Sequence, residues 1–224
     1  MHRTELAKRI DHTLLGPTAS AEAVVRLCEE ALEFGVAAAC VNPCHVELVR
    51  ERLGDSDVRT CAVIGFPHGM NAAATKAFEA QKAVAAGADE LDMVINVAAL
   101  KEGNYAAVIG DIRGVCEAAQ KAPRPVCVKV ILEMALLTEE EKVAGATLAK
   151  AAGAQFVKTS TGFGPGGATA QDVALLRATV GEKMGVKAAG GIRDAATALA
   201  MIEAGADRIG ASRTAAILDG LGTA

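Results

Sequence analysis

One short phrase punctuates the chain: AAGADE at 85–90, AAGAQF at 151–156, EAGADR at 203–208 and, more loosely, EFGVAA at 33–38. Each time, an alanine-rich helical pattern stops at a glycine suited to the left-handed position just past a helix end. A β-run begins within a few residues, so each phrase is the short loop that returns a helix to a strand. Reading outward gives eight candidate strands, at 8–13, 36–41, 58–65, 90–96, 126–133, 155–160, 186–190 and 207–211, separated by seven helical stretches. Helix starts are legible too: Thr138 and Glu141 have the spacing of a capping box, and Ser20, Thr169 and Asp194 stand where N-caps are expected. No Pro/Ser-rich linker divides the series, so residues 1–224 are expected to form one domain. Strand and helix alternating eight times predict an α/β fold of the (β/α)8 TIM-barrel kind rather than an open doubly wound sheet, with the first strand the weakest member.

Composition narrows the function. Hydrophobic residues are 51% of the chain but aromatics only 3%, so the core must be built from Ala, Val, Leu and Ile, which suits helices packed on parallel strands. A net charge of −4 without a Lys/Arg run offers no face to a nucleic-acid backbone. MHRTELAKRI lacks the apolar stretch of a signal peptide, and nothing approaches the ~18 apolar residues of a membrane span, so no membrane association and a cytoplasmic location are expected. The six cysteines are scattered through apolar segments and read as free thiols; Cys40 and Cys44 lack the further ligands that would complete a metal pair. Histidines 2, 12, 45 and 68 are dispersed, with His12 expected to be outward or structural and His68 to lie at the active face. No metal is expected, and GFGPGG is read as lacking the G-x-G-x-x-G spacing of a dinucleotide site, so no cofactor is expected either.

In such a barrel the active site lies at the C-terminal ends of the strands. Charged residues stand there on several strands: Asp11, Asp92, Lys158 and Lys187, with Lys129 next to them in strand order. Alternation puts Asp92 on one face with Val94 and Asn96, and leaves Leu91, Met93 and Ile95 on the other, so the polar face must look into the barrel. A lysine amine titrates near ~10.4 and is not a nucleophile at neutral pH. A second ammonium roughly 5 Å away, at an effective dielectric near 20, disfavours the charged form by about 3 kcal/mol. Two inward lysines on neighbouring strands therefore read as one amine activated by the other, as Schiff-base chemistry requires, with Asp92 to move protons. Spacing alone does not say which lysine attacks. The alternative is that they snorkel to solvent or pair with a carboxylate such as Glu133.

Glycines follow three late strands, in TGFGPGG (161–167), AAGGIR (188–193) and IGAS (209–212). Backbone N–H groups of such loops can close on an anion, so Thr159, Thr161, Gly162, Gly190, Gly191, Arg193, Gly210 and Ser212 are the expected substrate and phosphate contacts. Tight turns made for packing are the plainer reading of the same glycines.

IDHTLL (10–15), CVNP (40–43), ELDMVIN (90–96), KVILE (129–133), VKTSTGFGPGGAT (157–169) and VKAAGGIRD (186–194) together resemble the deoxyribose-phosphate aldolases, in order along nearly the whole chain. The resemblance implies a metal-free class I aldolase that interconverts 2-deoxy-D-ribose 5-phosphate with D-glyceraldehyde 3-phosphate and acetaldehyde in deoxyribonucleoside breakdown. It also implies Lys158 as the Schiff-base residue, Lys187 as the lysine that tunes it, Asp92 as proton donor and acceptor, and Asp11 as the aspartate that positions the pair. Cys40 is placed near the aldehyde pocket, with a small core residue as the competing reading. Three positions depart from the family pattern: Gly16, Met134 and Arg213, the last where a second serine usually follows Ser212. Another Schiff-base sugar-phosphate aldolase, a transaldolase or a non-catalytic sugar-phosphate barrel are the rival readings. An alanine-rich exterior permits a homo-oligomer without requiring one.

Overall fold

The computed structural model describes residues 1–221. Eight parallel strands close on themselves in sequence order: β1 (Ile10–Leu14), β2 (Ala38–Val41), β3 (Arg59–Ile64), β4 (Glu90–Val94), β5 (Cys127–Ile131), β6 (Phe156–Lys158), β7 (Gly185–Ala189) and β8 (Arg208–Ala211), with β8 pairing back to β1. All eight expected strands are present, each within a few residues of its expected bounds. The first begins at Ile10 because the chain before it is occupied by a helix, Arg3–Ala7, that buries Leu6 and Ala7. That helix, and the short Val97–Lys101, were not foreseen; both are too brief to show a 3.6-residue period.

Local chemistry explains the alternation. Gly35, Gly87, Gly153 and Gly205, the glycines of the recurring phrase, all have positive φ, from 62° to 112°, which a side chain would resist. Ser20, Thr169 and Asp194 each accept a hydrogen bond from the backbone N–H three residues on, and Thr138 with Glu141 forms the reciprocal capping box.

Alternation along each strand divides the core in two. Ile10, Ala39, Ala62, Leu91, Met93, Val128, Val130, Val157, Val186 and Ile209 face outward, into the layer between sheet and helices. The inward set is different in kind. A small apolar group of Leu15, Ala38, Cys40, Cys61 and Val63 fills one side of the barrel interior, and charged residues fill the other. The strand pairing decides their neighbours: Lys158 is the direct ladder partner of Lys187, Asp92 of Lys129, and Lys187 of Arg208.

Candidate active site

Strand parity brings Asp11, Glu90, Asp92, Lys129, Lys158 and Lys187 together inside the barrel, all under a tenth exposed. Asp92 is the centre of the arrangement. Its Oδ2 accepts hydrogen bonds from Lys158 Nζ at 2.9 Å and Lys187 Nζ at 2.6 Å, and its Oδ1 from Lys129 Nζ at 2.8 Å and the Cys61 thiol at 3.3 Å. Two lysine amino groups that donate to one carboxylate oxygen lie within a few ångströms of each other. Lys187 also donates to Asp11 Oδ2, and Asp11 Oδ1 accepts from Arg208 Nε at 2.9 Å. Lys129 continues the network to Glu90 Oε2 at 2.6 Å, and Arg208 Nη2 reaches the same oxygen at 2.9 Å.

The electrostatics follow from these contacts. Burial opposes the charge on Asp92, but Lys129, Lys158 and Lys187 outweigh it and hold the carboxyl well below the usual carboxylate range. Asp11 is held low in the same way, against burial, by Lys187, Arg208 and Lys129. Burial pulls the Lys187 titration down, yet Asp11 and Asp92 outweigh it and keep it above the ordinary lysine range. Lys129 is likewise kept charged, chiefly by Asp92.

Above the cluster, at the C-terminal ends of the strands, a cavity of about 330 Å³ opens, and Lys158 is the member of the charged cluster that reaches it. Thr161, Gly162, Gly190, Gly191, Arg193, Gly210 and Ser212 line the same cavity. Gly162, Gly190 and Gly191 all have positive φ, and a Cβ on Gly167 would strike the Gly190 carbonyl oxygen, so the loops after β6 and β7 touch backbone to backbone. Arg193 is exposed at the rim, so a guanidinium stands beside a ring of backbone N–H groups, a setting that suits a phosphate.

Several expectations need correction. Thr159 does not line the cavity; its hydroxyl is fully buried, donating to the Ala189 carbonyl and accepting from the Ala189 N–H, so it clamps β6 to β7. Cys40 is not in the cavity wall; it is fully buried, packed with Leu15, Ala38, Cys61 and Val63. Asp11 contacts Lys187 and, at 3.6 Å, Lys129, but not Lys158, so it positions one lysine of the pair only. Glu133 pairs with no lysine among the described residues: its Oε2 accepts from the Thr161 N–H and hydroxyl, at the cost of a left-handed φ of 55°. Thr161 in turn accepts from the Phe163 N–H at 3.0 Å, so Glu133 shapes the loop that follows Lys158. GFGPGG does spell G-x-G-x-x-G, but its last glycine stands ahead of a helix that starts at Ala170 on a Thr169 cap, without the direct entry of a dinucleotide loop. Arg213 is exposed and outside the cavity lining, and His12 is structural, bridging Glu30 and Thr214 at 2.8 Å each.

Glu90 and Arg208 are the residues that sequence reasoning missed. Both open a strand, and counting back two positions from Asp92 and Gly210 would have placed them on the inward face. Cys40, Cys61 and Asp92, or Asp11, Cys61 and Glu90, are close enough to share a cation. Their carboxylate oxygens already accept from Lys129, Lys158, Lys187 and Arg208, and a metal ion there would stand against those positive charges.

The comparisons with known proteins agree with this geometry. A family model described as DeoC/LacD family aldolase matches residues 6–220. The deoxyribose-phosphate aldolase of Thermoanaerobacter sp. strain X514 is 55% identical over 214 residues, covering 96% of each chain. That of Clostridium perfringens strain 13 is 53% identical over 220 residues, covering 98% of this chain and 97% of the relative. The tetrameric deoxyribose phosphate aldolase structure from Aeropyrum pernix superposes with a TM-score of 0.89 at 37% identity, covering 97% of this chain and 91% of that one. With a closed eight-stranded barrel, buried lysines under a glycine-lined cavity, and full-length relatives of one description, the chain belongs to the DeoC/LacD family of aldolases and is a lyase of the deoxyribose-phosphate aldolase type.

Proposed function

We propose that this enzyme cleaves 2-deoxy-D-ribose 5-phosphate to D-glyceraldehyde 3-phosphate and acetaldehyde, and runs the reverse addition, through a Schiff base on Lys158. The observation that carries the reading is that Lys158 alone joins the buried charge cluster to the cavity. Lys187 sits deeper, is wholly buried and keeps its proton. A fixed positive charge on its strand neighbour favours the uncharged, nucleophilic amine at Lys158.

Lys158 Nζ adds to C1 of the open-chain sugar, and loss of water from the carbinolamine leaves an iminium ion. The C3 hydroxyl gives up its proton, the C2–C3 electron pair moves into the iminium, and glyceraldehyde 3-phosphate departs. The enamine left on Lys158 takes a proton at C2, and water releases acetaldehyde and the free amine. Asp92 is the group assigned to proton transfer. Holding four donors and lying below the cavity, it acts through water. The iminium is the electron sink, so the sequence of steps calls for no metal. Glycine N–H groups of the loops after β6, β7 and β8, with Arg193 and Ser212, hold the phosphate. Operation in deoxyribose-phosphate breakdown in the cytoplasm, and assembly of copies as in the A. pernix relative, go with this reading.

Incubation with acetaldehyde and borohydride, followed by peptide mass mapping, is expected to place a reduced two-carbon adduct on Lys158. An adduct confined to Lys187, or none, overturns the assignment. Assay of deoxyribose 5-phosphate beside keto-acid and transaldolase substrates separates this activity from those of other Schiff-base barrels.

A further inference from the structure

Beneath Lys158 the barrel carries charges that no substrate in the upper cavity can touch. Glu90 and Arg208 face its opposite, N-terminal end, where Glu90 borders a separate cavity of about 870 Å³. They are joined to the active layer by hydrogen bonds on both sides. Glu90 accepts from Lys129, which donates to Asp92; Arg208 donates to Asp11, which accepts from Lys187. Leaving Lys158 aside, the cluster holds three carboxylates (Asp11, Glu90, Asp92) and three cations (Lys129, Lys187, Arg208). It is neutral as it stands, and a proton on Lys158 would leave one uncompensated positive charge inside the barrel.

We propose that Glu90 and Arg208 are positioning residues that set this balance from below, so that the free amine is the favoured form of Lys158. The inference rests on Lys158 being the Schiff-base residue. Every other group facing that amine is accounted for. Asp92 from β4 and Lys187 from β7 are its immediate neighbours; Cys40 and Cys61, from β2 and β3, lie against Asp92; Asp11 and Lys129 complete the layer from β1 and β5. Glu133 is bound to Thr161 beyond β5, and Arg193 stands at the exposed rim of the cavity. None of these is altered in the test.

Charge balance makes predictions of opposite sign for the two residues. Removing the negative charge with Glu90→Gln makes a proton on Lys158 less favourable, so half-maximal adduct formation moves to lower pH. Removing the positive charge with Arg208→Met moves it to higher pH. With two hydrogen-bonded partners between Lys158 and Glu90 and an effective dielectric near 20, each shift is on the order of one pH unit. Glutamine can keep the Lys129 and Arg208 Nη2 contacts through a single oxygen, since both now meet Oε2. That isosteric change carries the test even where Arg208→Met does not fold, and Arg208→Lys, which retains the charge, is expected to leave the midpoint near its original place.

The experiment is borohydride trapping of the acetaldehyde adduct across pH in the full-length protein and the three variants, with peptide mapping of Lys158. Failure of the unsubstituted protein to form the adduct defeats the Schiff-base reading itself. Adduct on Lys158 with no shift in Glu90→Gln, or with Glu90→Gln and Arg208→Met shifted in the same direction, defeats the charge-balance device while leaving that reading in place.

Discussion

Lys76 and Asp111 form a second buried ion pair, outside the barrel, and its removal is a sharp test of how burial and pairing compete. Lys76, on the helix Ala73–Ala85, is wholly buried and donates to Asp111 Oδ2 at 2.5 Å and to the Val94 carbonyl at the end of β4 at 2.9 Å. Its stem passes under Gly65, where a Cβ would come within 2.8 Å of Lys76 Cε, so a glycine is needed for the crossing. The other carboxylate oxygen of Asp111 is buried without a partner. Burial, the larger influence on each, pushes Asp111 up and Lys76 down, against the charges that the pair requires. Breaking the pair with Asp111→Ala strands an ammonium in the core, which costs about 3–5 kcal/mol; because Lys76 keeps Val94 and can give up its proton, the lower end is expected. In a chain of 224 residues that lowers Tm by roughly 6–12 °C. Lys76→Met with Asp111→Leu removes both charges and keeps the bulk, and is expected within about 1 kcal/mol of the parent. Urea unfolding of Lys76→Met, Asp111→Leu and their double measures the cycle, with Asp111→Ala beside them. A loss below about 1 kcal/mol in Asp111→Ala, or a double as unstable as that single, would refute the reasoning.

Lys187→Leu is expected to move the pH midpoint of Lys158 adduct formation upward by about two units, since it removes the nearest positive charge. An unchanged midpoint would show that Lys187 does not tune the nucleophile. Asp11 and Asp92 titrate below their unfolded values, so their contribution to stability is present above an unfolded pKa of ~3.9 and is lost as pH falls toward the folded values. Urea midpoints should hold steady above about pH 5 and decline below about pH 4; a flat profile down to pH 3 would contradict the buried charge cluster.

The barrel was legible because its punctuation is local. A glycine past each helix end and a capping side chain before the next one act within a few residues, and neither depends on what the finished sheet looks like. Lys158, Lys187 and Asp92 were legible because a period of two residues decides which face each strand turns inward. Cys40 and Thr159 went astray at the next level. Cys40 shares the inward parity but is covered by Leu15, Cys61 and Val63, and parity does not say what packs over a side chain. Thr159 lies just beyond β6, where backbone groups of β7 claim its hydroxyl before a ligand can.

Glu90, Lys129 and Arg208 expose the limit of reading a site from strand ends alone. A search confined to the C-terminal ends finds Lys158 and Lys187, yet charges hydrogen-bonded into the same cluster stand at the starts of β4 and β8 and in the middle of β5. Asp92 holds Lys158 and Lys187 on one oxygen and Lys129 on the other, and Lys129, kept charged chiefly by Asp92, also meets Glu90 below it. The layer that stabilises this barrel and the layer that performs its chemistry are therefore one hydrogen-bonded network. Residues far from any substrate should then move the pH dependence of the reaction as readily as residues beside it.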